Sequence, residues 1–460
     1  MPELPEVETV RQVLIPLVKG KKIAKVDVFF DKLVLSPLSD FKNKLIGETI
    51  NDVKRYGKYL FIITTSYVII SHLRMEGKYR LSNEESPRRK HTTCIFYFED
   101  GTSLCYDDTR KFGIMYLSNP NEIQTLDMIR KLGVEANNIP LSEHENLYKK
   151  FHKNKKIKEL LLDQTILCGI GNIYADEILY ASKINPFTLG KDLTIEDIEN
   201  ILKNAPIILD NAIKKGGSTI HSFQASEGVD GKFQEELLCY GREGEICPRC
   251  GTTFHKVFIG GRGTTFCPNC QINPYLEKAI GITGPIGSGK STLLNHLKEK
   301  GYATFSCDEI IHELYKDNTN KRKISNILGS DFDIEDIEKK EKCRKIMVLD
   351  KNKKHCVEKY IYPKLEEKLI ELIKTHNLIA IEVPLLFKAH FEYMFKYIFV
   401  ITLTKDKQIK NLVSRGQENV EEYLKLNSDY HADLNNKKIK ILENNGDLEG
   451  FFEKIDTFLF

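Results

Sequence analysis

The chain has 460 residues, which is too long for one ordinary domain and long enough for two or three. The formal net charge is only +3, so overall charge does not indicate a nucleic-acid partner, and any such binding requires a local basic surface. The longest apolar run, Tyr59 to Leu73, is interrupted by Thr and Ser residues; it predicts a pair of strands and argues against a membrane span. The N-terminus lacks a basic segment followed by an apolar one, so we expect no signal peptide, no membrane partner and a cytoplasmic monomer.

The first residues, Met1-Pro2-Glu3-Leu4-Pro5-Glu6, combine a terminal amine with two carboxylates. After removal of Met1, Pro2 presents a secondary amine, and an α-amino group is partly neutral and nucleophilic near pH 7. Attack on a sugar C1′ would give an iminium, which acidifies the neighbouring proton and permits strand cleavage, and Glu3 and Glu6 supply acid and base groups. The alternative is a disordered acidic start, and for this short peptide considered alone it is the favoured interpretation.

Residues 1–120 are rich in β-branched and aromatic runs that are separated by turn signals such as Asp100-Gly101, and they predict a β-sandwich or a barrel. Residues 121–238 follow as a helical domain, since apolar residues there recur at helical spacing. The predicted strands include Val26–Phe30, Tyr59–Ile63, Tyr67–Ser71 and Thr93–Phe98.

A compact module over residues 239–271 contains four of the eleven cysteines, as Cys247-Pro-Arg-Cys250 and Cys267-Pro-Asn-Cys270. Two residues between thiolates let both sulfurs bind one tetrahedral ion, and two such pairs complete a closed structural zinc site. The alternative is a set of redox cysteines. A closed site leaves no position for a substrate, so this zinc would fold the module and take no part in chemistry.

Between the two cysteine pairs lies Gly260-Gly261-Arg262-Gly263. An arginine among glycines at a hairpin tip can approach a phosphate without obstruction by neighbouring side chains. The alternative, a solvated turn arginine, is equally compatible with this segment.

After a linker at 272–278, residues 279–460 alternate strand and helix and predict an α/β domain with a P-loop. The apolar strand Ala279–Thr283 precedes the loop and a helical pattern at Thr292–Leu297 follows it. Backbone N–H groups of such a loop cradle phosphate, its lysine reaches the β- and γ-phosphates, and its serine binds Mg²⁺. The predicted nucleotide-binding residues are Gly284, Gly287, Ser288, Gly289, Lys290, Ser291 and Thr292.

Residues 1–271 resemble the formamidopyrimidine-DNA glycosylases. The resemblance rests on the opening Pro-Glu-Leu-Pro-Glu-Val-Glu, the zinc pattern and three further segments, Asp108–Gly113, Gly169–Ala175 and Tyr240–Arg242. It implies an N-terminal β-sandwich, a helix–two-turns–helix module and a zinc finger with four cysteine ligands. It also implies a glycosylase/AP lyase that excises oxidised purines, 8-oxoguanine and formamidopyrimidines, from double-stranded DNA.

The resemblance also implies roles for individual residues. Pro2 would be the Schiff-base nucleophile, Glu3 the acid that protonates the leaving sugar-ring oxygen, and Lys58 a group beside the lesion phosphate. Asn172 and Arg262 would clamp the phosphates that flank the flipped nucleotide.

Further residues would contact the duplex itself. Met75, Arg110 and Phe112 would fill the gap left by the extruded base, which offsets part of its unstacking cost. The alternative for Met75 and Phe112 is a place in the hydrophobic core. His91 resembles a phosphate contact, although a lone histidine is usually structural. The loop Ser226–Lys232 would cap the flipped base, and it departs from the commonest family pattern around Val229-Asp230.

Residues 279–460 resemble dephospho-coenzyme A kinases, through the P-loop segment together with Ser306–His312 and Val383–Phe387. The resemblance implies transfer of the ATP γ-phosphate, with Mg²⁺, to the 3′-hydroxyl of dephospho-coenzyme A. Asp308 would activate that hydroxyl and Arg415 would steady the transferred group. His312 and Arg344 fall on substrate-side positions, and residues 444–446 resemble an adenine-side segment.

The second half departs from its family at four positions: Ser306 for an acid, Tyr362 for a histidine, Lys388 for a glutamate and Asn411 for a lid arginine. We favour a bifunctional enzyme, because the P-loop and Asp308 are intact. Three alternatives stay open: an active glycosylase with an inactive nucleotide-binding domain, a DNA-binding module without chemistry, and a P-loop domain that drives repair with ATP.

Overall fold

The computed structural model describes residues 1–218, 233–272, 276, 278–389, 391–414, 416, 420, 424 and 438–459. The chain divides into two compact units, one of residues 1–243 and 256–266 and the other of residues 244–255 and 267–460. The predicted base-capping loop Ser226–Lys232 and the predicted lid residue Arg415 lie outside the described residues.

The first unit opens with helix α1 (Leu4–Val18), which precedes two four-stranded antiparallel sheets. One sheet has the strand order β1-β6-β7-β5 and the other β2-β3-β4-β8. Short helix α2 (Leu38–Asn43) follows β1. The strands are β1 (Ile23–Val28), β2 (Ile50–Tyr56), β3 (Tyr59–Thr64), β4 (Val68–His72), β5 (Lys78–Ser82), β6 (Thr92–Phe98), β7 (Ser103–Asp107) and β8 (Ile114–Ser118).

Two separate sheets make this region a sandwich, and of the two predicted architectures the barrel is wrong. Apolar side chains of both sheets form one buried cluster. The apolar faces of the alternating strands therefore pack against each other, as expected for a sandwich. The cluster includes Val26, Phe96 and Leu104 from one sheet and Ile62, Ile69 and Leu117 from the other.

The run from Tyr59 to Leu73 forms the predicted strand pair, β3 and β4, in which Ile62 lies opposite Ile69. The prediction of a strand at Val26–Phe30 was wrong at both ends. Strand β1 begins at Ile23, and the chain leaves the strand after Val28 to enter a 3-10 turn at Asp31–Leu33.

The middle of the first unit is mainly helical, as the apolar spacing predicts. The longest helix, α7, starts with a capping box in which Thr194 and Asp197 satisfy each other's backbone N–H groups. The helices are α3 (Asp127–Arg130), α4 (His144–Phe151), α5 (Ile157–Leu162), α6 (Asn172–Ala181) and α7 (Ile195–Lys214), with a parallel pair of two-residue strands, β9 (Val134–Glu135) and β10 (Leu167–Cys168).

A two-stranded hairpin, β11 (His255–Ile259) and β12 (Arg262–Phe266), follows the helices. Gly260 and Gly261 form its turn, with φ angles of 55° and 75°. A turn with positive φ at both central residues matches the twist of the strands and favours glycine, so this turn accounts for two of the predicted hairpin-tip glycines.

The second unit is built on a five-stranded parallel sheet with the order β14-β15-β13-β16-β17. Its central strand is the predicted one that precedes the P-loop, so the loop lies at the carboxyl edge of the sheet, where ligands of open α/β folds bind. The strands are β13 (Ala279–Thr283), β14 (Ala303–Ser306), β15 (Ile379–Glu382), β16 (Tyr397–Thr402) and β17 (Ile439–Glu443).

Helices of the second unit pack against this sheet or form a separate apolar cluster that includes Ile324, Phe332 and Ile361. They are α8 (Lys290–Glu299), α9 (Cys307–Lys316), α10 (Asn318–Leu328), α11 (Ile337–Leu349), α12 (Lys351–Thr375), α13 (Lys405–Ser414) and α14 (Leu448–Leu459). Short 3-10 helices elsewhere in the chain are Pro120–Thr125, Leu141–Glu143, Gly190–Asp192, Phe233–Glu236 and Glu392–Met394. Among the described residues, no helix combines the length and the apolar character that a membrane crossing needs.

Candidate functional site

A cavity of about 330 Å³ in the first unit contains the start of the chain. It brings together residues that are far apart in sequence, from the first turn, from the sandwich, from the start of α6 and from the hairpin tip. Predicted site residues that line it are Pro2, Glu3, Lys58, Met75, Asn172 and Arg262, together with Glu6.

The carboxylate of Glu3 lies at the N-terminus of α6. It accepts hydrogen bonds from the N–H groups of Gly171 at 2.6 Å and Ile173 at 2.9 Å, donors that a helix leaves unsatisfied at this end. A Cβ at Gly171 would lie 2.3 Å from the Glu3 carboxyl carbon, so the glycine makes this approach possible. Burial raises the pKa of Glu3, and the positive charge of Lys58 offsets part of that rise.

Glu6 fixes the position of the chain terminus. Its Oε2 accepts the Glu3 N–H at 2.9 Å, and its Oε1 accepts the Tyr174 hydroxyl at 2.7 Å and the Ser218 N–H at 2.8 Å. Its side chain is buried. Because both oxygens are occupied in holding neighbouring groups, Glu6 acts here as a support for Glu3.

Lys58 lies in the turn directly before β3 and follows Gly57, which has a φ of 56°. Its ammonium group is buried and donates to the Ile170 carbonyl at 2.7 Å. Burial lowers the pKa of Lys58, and it also lowers the pKa of the amino group of Met1. The cavity therefore favours a neutral amine at the start of the chain.

Asn172 and Arg262, the predicted phosphate clamp, lie close together. The Asn172 amide donates to the Gly263 carbonyl at 2.8 Å, which ties the start of α6 to the hairpin tip. Arg262 is exposed at that tip and lines the cavity. Helix α6 and the hairpin therefore both contribute to the cavity lining, through Asn172 and Arg262.

Arg110 and Phe112 belong to a loop that Asp108 holds from inside. The buried Asp108 carboxylate accepts the N–H groups of Arg110, Lys111 and Gly113 at 2.7–3.0 Å. The Arg110 guanidinium carbon lies 5.1 Å from the centre of the Phe112 ring. Phe112 is 53% exposed, so the alternative that placed it in the core is wrong.

Tyr106 connects this loop to the segment that carries Met75. A Cβ added at Gly77 or at Gly113 would lie 2.0 or 2.1 Å from the Tyr106 hydroxyl, so both segments pack directly on this ring. Met75 is half-buried and lines the cavity, outside the core clusters.

His91 is not among the residues that line the cavity. It precedes β6, and its backbone carbonyl accepts the Asp108 N–H at 2.9 Å. The structure therefore places His91 beside the Arg110–Phe112 loop.

A buried ion pair that supports Asn172 has no distinctive sequence pattern and was missed by the sequence analysis. Lys158 donates to Asp176 at 2.6 Å and to the Asn172 carbonyl at 2.9 Å, and both charged side chains are almost fully buried. The second Asp176 oxygen accepts the Thr265 N–H at 3.0 Å, and burial raises the pKa of Asp176 to about 6. The pair joins α5, α6 and β12, whereas Lys158 in sequence resembles any lysine of an amphipathic helix.

The four predicted zinc ligands lie together, with all four sulfurs within 4.8 Å of one another. The Cys247–Cys270 and Cys250–Cys267 sulfur distances are 3.8 and 3.5 Å. Sulfurs at about 2.3 Å from a tetrahedral zinc ion are about 3.8 Å apart, so the donor set fits this ion. Cys270 also donates its N–H to the Cys267 sulfur at 3.3 Å.

The P-loop of the second unit spans residues 284–291. Gly284, Gly287 and Gly289 all have positive φ angles, which other residues rarely adopt. Lys290 contacts the Gly284 and Pro285 carbonyls at 3.2 and 3.1 Å. The lysine thus lies against the loop that precedes it, while Ser291 and Thr292 occupy the first turn of α8.

Two acidic groups interact electrostatically with Lys290. Glu382, at the end of β15, lies 3.8 Å from the Lys290 ammonium group, and sequence analysis missed this residue. Asp308 lies near the start of α9, where desolvation raises the pKa of its carboxyl and the charge of Lys290 lowers it. Of these two acids, Glu382 is the one within ion-pair distance of Lys290, and the role of Asp308 stays a prediction.

The positions that depart from the kinase pattern have other contacts here. Ser306 caps α9 by accepting the Asp308 N–H at 3.3 Å, and Lys388 pairs with Glu358 at 2.6 Å. Asn411 donates to the Gly287 carbonyl at 2.9 Å. Of the substrate-side positions, His312 lies on α9, and Arg344 lies on α11 beside Glu341.

Four protein families match consecutive parts of the chain. The formamidopyrimidine-DNA glycosylase N-terminal domain matches residues 1–115 and its H2TH domain residues 132–224. A zinc finger found in FPG and IleRS matches residues 244–272, and dephospho-CoA kinase matches residues 278–449.

Curated relatives and solved structures match the first part of the chain. A formamidopyrimidine-DNA glycosylase of Bacillus cereus is 49% identical over 276 residues, and one of Lactobacillus gasseri is 44% identical over 273 residues; each match covers 59% of this chain and 99% of the relative. A Lactococcus lactis FPG mutant in complex with Fapy-dG containing DNA is 40% identical with a TM-score of 0.56, and it covers 59% of this chain and 100% of that one.

Proposed function

Because the chain belongs to the formamidopyrimidine-DNA glycosylase family and carries a dephospho-CoA kinase domain, we propose that it is a bifunctional enzyme. Its first part excises oxidised purines, 8-oxoguanine and formamidopyrimidines, from duplex DNA and nicks the resulting abasic strand. Its second part phosphorylates the 3′-hydroxyl of dephospho-coenzyme A with ATP.

The observation that carries the first activity is the convergence of the chain terminus, Glu3 and Lys58 in one cavity. In this proposal the Pro2 amine attacks C1′ of the lesion nucleotide, the damaged base leaves, and Glu3 protonates the ring oxygen as the sugar opens. The resulting iminium acidifies the C2′ proton, whose removal eliminates the 3′-phosphate and cuts the strand. A buried Glu3 with a raised pKa suits proton donation near neutral pH.

The groups around the cavity fit a duplex whose target nucleotide is turned outward. Arg262 and Asn172 would contact phosphates at the cavity mouth, and Lys58 would contact the phosphate of the lesion. Exposed Phe112 and Arg110 would enter the gap in the stack together with Met75. The complexes of the Lactococcus lactis protein with Fapy-dG and with abasic DNA support this interpretation of the surface.

The kinase proposal is supported by the family match, by the P-loop geometry and by the charge of Lys290, which lowers the pKa of the Asp308 carboxyl against the effect of desolvation. Lys290 would bridge the β- and γ-phosphates, Ser291 would bind Mg²⁺, and Asp308 would orient or deprotonate the acceptor hydroxyl. The alternative is a domain that binds nucleotide without transferring phosphate, which the changes at Lys388 and Asn411 favour.

A structural zinc ion in the four-cysteine cluster completes the proposed enzyme, and the donor geometry supports it. We also propose a cytoplasmic location. Four of the eleven cysteines are the proposed zinc ligands, and no disulfide is formed among the described residues, which fits a reducing compartment.

The DNA proposal predicts that Arg262→Ala weakens binding of a lesion-bearing duplex and lowers the salt slope by about one phosphate contact. The reason is that Arg262 is exposed at the cavity mouth and would release one counterion. The measurement is fluorescence anisotropy at several salt concentrations, alongside strand cleavage by the unaltered chain. Arg322→Ala, an exposed arginine of the second unit, serves as the matched control. An unchanged slope would place Arg262 away from DNA, and a chain that cuts no lesion duplex would contradict the glycosylase proposal.

The zinc proposal predicts that Cys250→Ser, or treatment with a chelator, lowers DNA affinity by about tenfold or more. Binding of a structural metal contributes directly to the free energy of folding. Loss of one ligand should therefore unfold the two cysteine-pair segments, which precede and follow the Arg262 hairpin in sequence. Zinc content by metal analysis and duplex affinity are measured together. Cys356→Ser, an exposed cysteine outside the cluster, should retain both. Full DNA affinity in a zinc-free chain would show that the hairpin folds without metal.

A further inference from the structure

Three side-chain amides contact three successive carbonyl groups of the P-loop. Gln408 donates to Ile286 at 2.8 Å, Asn411 donates to Gly287 at 2.9 Å, and Asn444 donates to Ser288 at 2.9 Å. Gln408 and Asn411 lie on one face of α13, and Asn444 directly follows β17. Residues from two separate parts of the chain therefore donate to consecutive peptide groups of the loop. We call these three side chains the amide clamp.

The peptide plane explains what the amide clamp does to the loop. A carbonyl and the N–H group of the next residue belong to one rigid plane and point in opposite directions. Each carbonyl held by the clamp therefore directs the N–H group of the next residue, Gly287, Ser288 or Gly289, away from the amide that holds that carbonyl. Ser288 donates its N–H to the Pro285 carbonyl at 3.2 Å, which closes a turn. The N–H groups of Gly287 and Gly289 are therefore the ones that we expect to donate hydrogen bonds to a phosphate.

Packing keeps the amide clamp in contact with the loop. Leu412 is buried, and it lies 3.4 Å from the position of a Cβ added at Gly287. Asn444 is also buried, and a Cβ at Gly289 would lie 2.4 Å from its amide nitrogen. The Asn444 N–H itself donates to the Thr402 carbonyl of β16 at 2.8 Å. The clamp thus rests on the sheet at one end and on α13 at the other.

We propose that Gln408, Asn411 and Asn444 are positioning residues that hold the P-loop in its phosphate-binding orientation before nucleotide arrives. The inference rests on the proposed nucleotide binding of the second unit. Asn411 stands where the resembling kinases have a lid arginine. In this proposal it positions the P-loop and does not stabilise charge at the γ-phosphate. A neutral amide beneath the loop acts on the phosphates that the loop itself cradles, which ADP and ATP share.

The test is isothermal titration of the full chain with ADP and with ATP, in Mg²⁺ and without acceptor. Gln408→Ala and Asn411→Ala should each weaken ADP binding by about threefold to tenfold, because each variant loses one hydrogen bond that holds the P-loop in its phosphate-binding orientation. ATP binding should weaken by the same factor. In the kinase assay the KM for ATP should rise while kcat at saturating ATP stays within about twofold.

Isosteric variants separate positioning from packing. Asn411→Asp and Gln408→Glu keep the shape of each side chain but replace the donor with an oxygen that faces a carbonyl, so they should weaken ADP binding at least as much as alanine. Lys410→Ala, an exposed residue of the same helix, should change neither affinity. Circular dichroism checks folding of each variant, and if one fails to fold, the variants at the other position carry the test.

The outcomes distinguish the two proposals. An unaltered chain that binds no ADP overturns both nucleotide binding and the amide clamp. Normal ADP affinity in the Gln408 and Asn411 variants overturns the clamp alone. A loss confined to ATP also overturns it, because that pattern indicates a contact with the γ-phosphate.

Discussion

Blocking the amino group of Pro2 should abolish covalent trapping of the chain on lesion DNA by borohydride. Borohydride reduces an iminium between enzyme and sugar to a stable bond, so trapping reports the nucleophile directly. The Glu3 N–H is held by Glu6, which fixes the terminus beside the cavity. Burial lowers the pKa of the amino group of Met1, and we expect the amine of Pro2, once it is the terminus, to be partly neutral near pH 7.

The measurement compares two preparations on duplex that contains 8-oxoguanine opposite cytosine. One has a free Pro2 and the other carries an acetylated or retained N-terminus. Loss of trapping should be complete within detection, while duplex affinity should fall much less, because Arg262 and Asn172 remain in place. Trapping by the blocked protein would show that another amine forms the adduct. Lys58 is then the first candidate, since it lines the same cavity and burial lowers its pKa.

The predictable parts of these sites are those whose chemistry is local in sequence. Cys247 and Cys250 must lie close together because two residues separate them, and the P-loop needs its glycines at fixed steps after β13. The strand pattern alone left two architectures open, because alternation shows which strand faces are buried and not whether the sheets close on each other; the family resemblance implied the sandwich. A strand end such as Val28 depends on the following turn, which the apolar run at Val26–Phe30 conceals.

Contacts between segments that are distant in sequence could not be predicted from local patterns. Lys158 and Asp176 meet because α5 packs on α6, and neither residue stands in a distinctive pattern. Asn411 was identified only as a departure from a family pattern, whereas its contact with Gly287 depends on how α13 lies against the P-loop. A departure in sequence therefore shows that one interaction is missing, and the structure shows which interaction has taken its place.

Changes at Lys290 and Asp308 should abolish phosphorylation of dephospho-coenzyme A by different routes. Lys290→Ala removes the charge at the β- and γ-phosphates, so nucleotide affinity and turnover should both fall. Asp308→Asn keeps the shape of the side chain but cannot accept the acceptor's proton, an effect of about a hundredfold to ten-thousandfold on turnover. ATP affinity should then stay almost intact. Nicking of lesion DNA should be unchanged in both variants, because the cavity residues all belong to the first unit.

Each variant is assayed twice, for coenzyme A formation with ATP titration and for nicking of lesion duplex. Glu309→Gln is the matched control for Asp308, since it removes an exposed carboxylate one residue away on α9. Full kinase activity in the Asp308 variant would assign the acceptor's proton to another acid, and Glu382, 3.8 Å from Lys290, is the nearest one in the described site. An unaltered chain that binds ATP but forms no coenzyme A would indicate that the changes at Ser306, Lys388 and Asn411 have abolished phosphate transfer. The amide clamp would then serve a domain that holds nucleotide without transferring phosphate, because the P-loop contacts made by Gln408 and Asn411 do not depend on the acceptor.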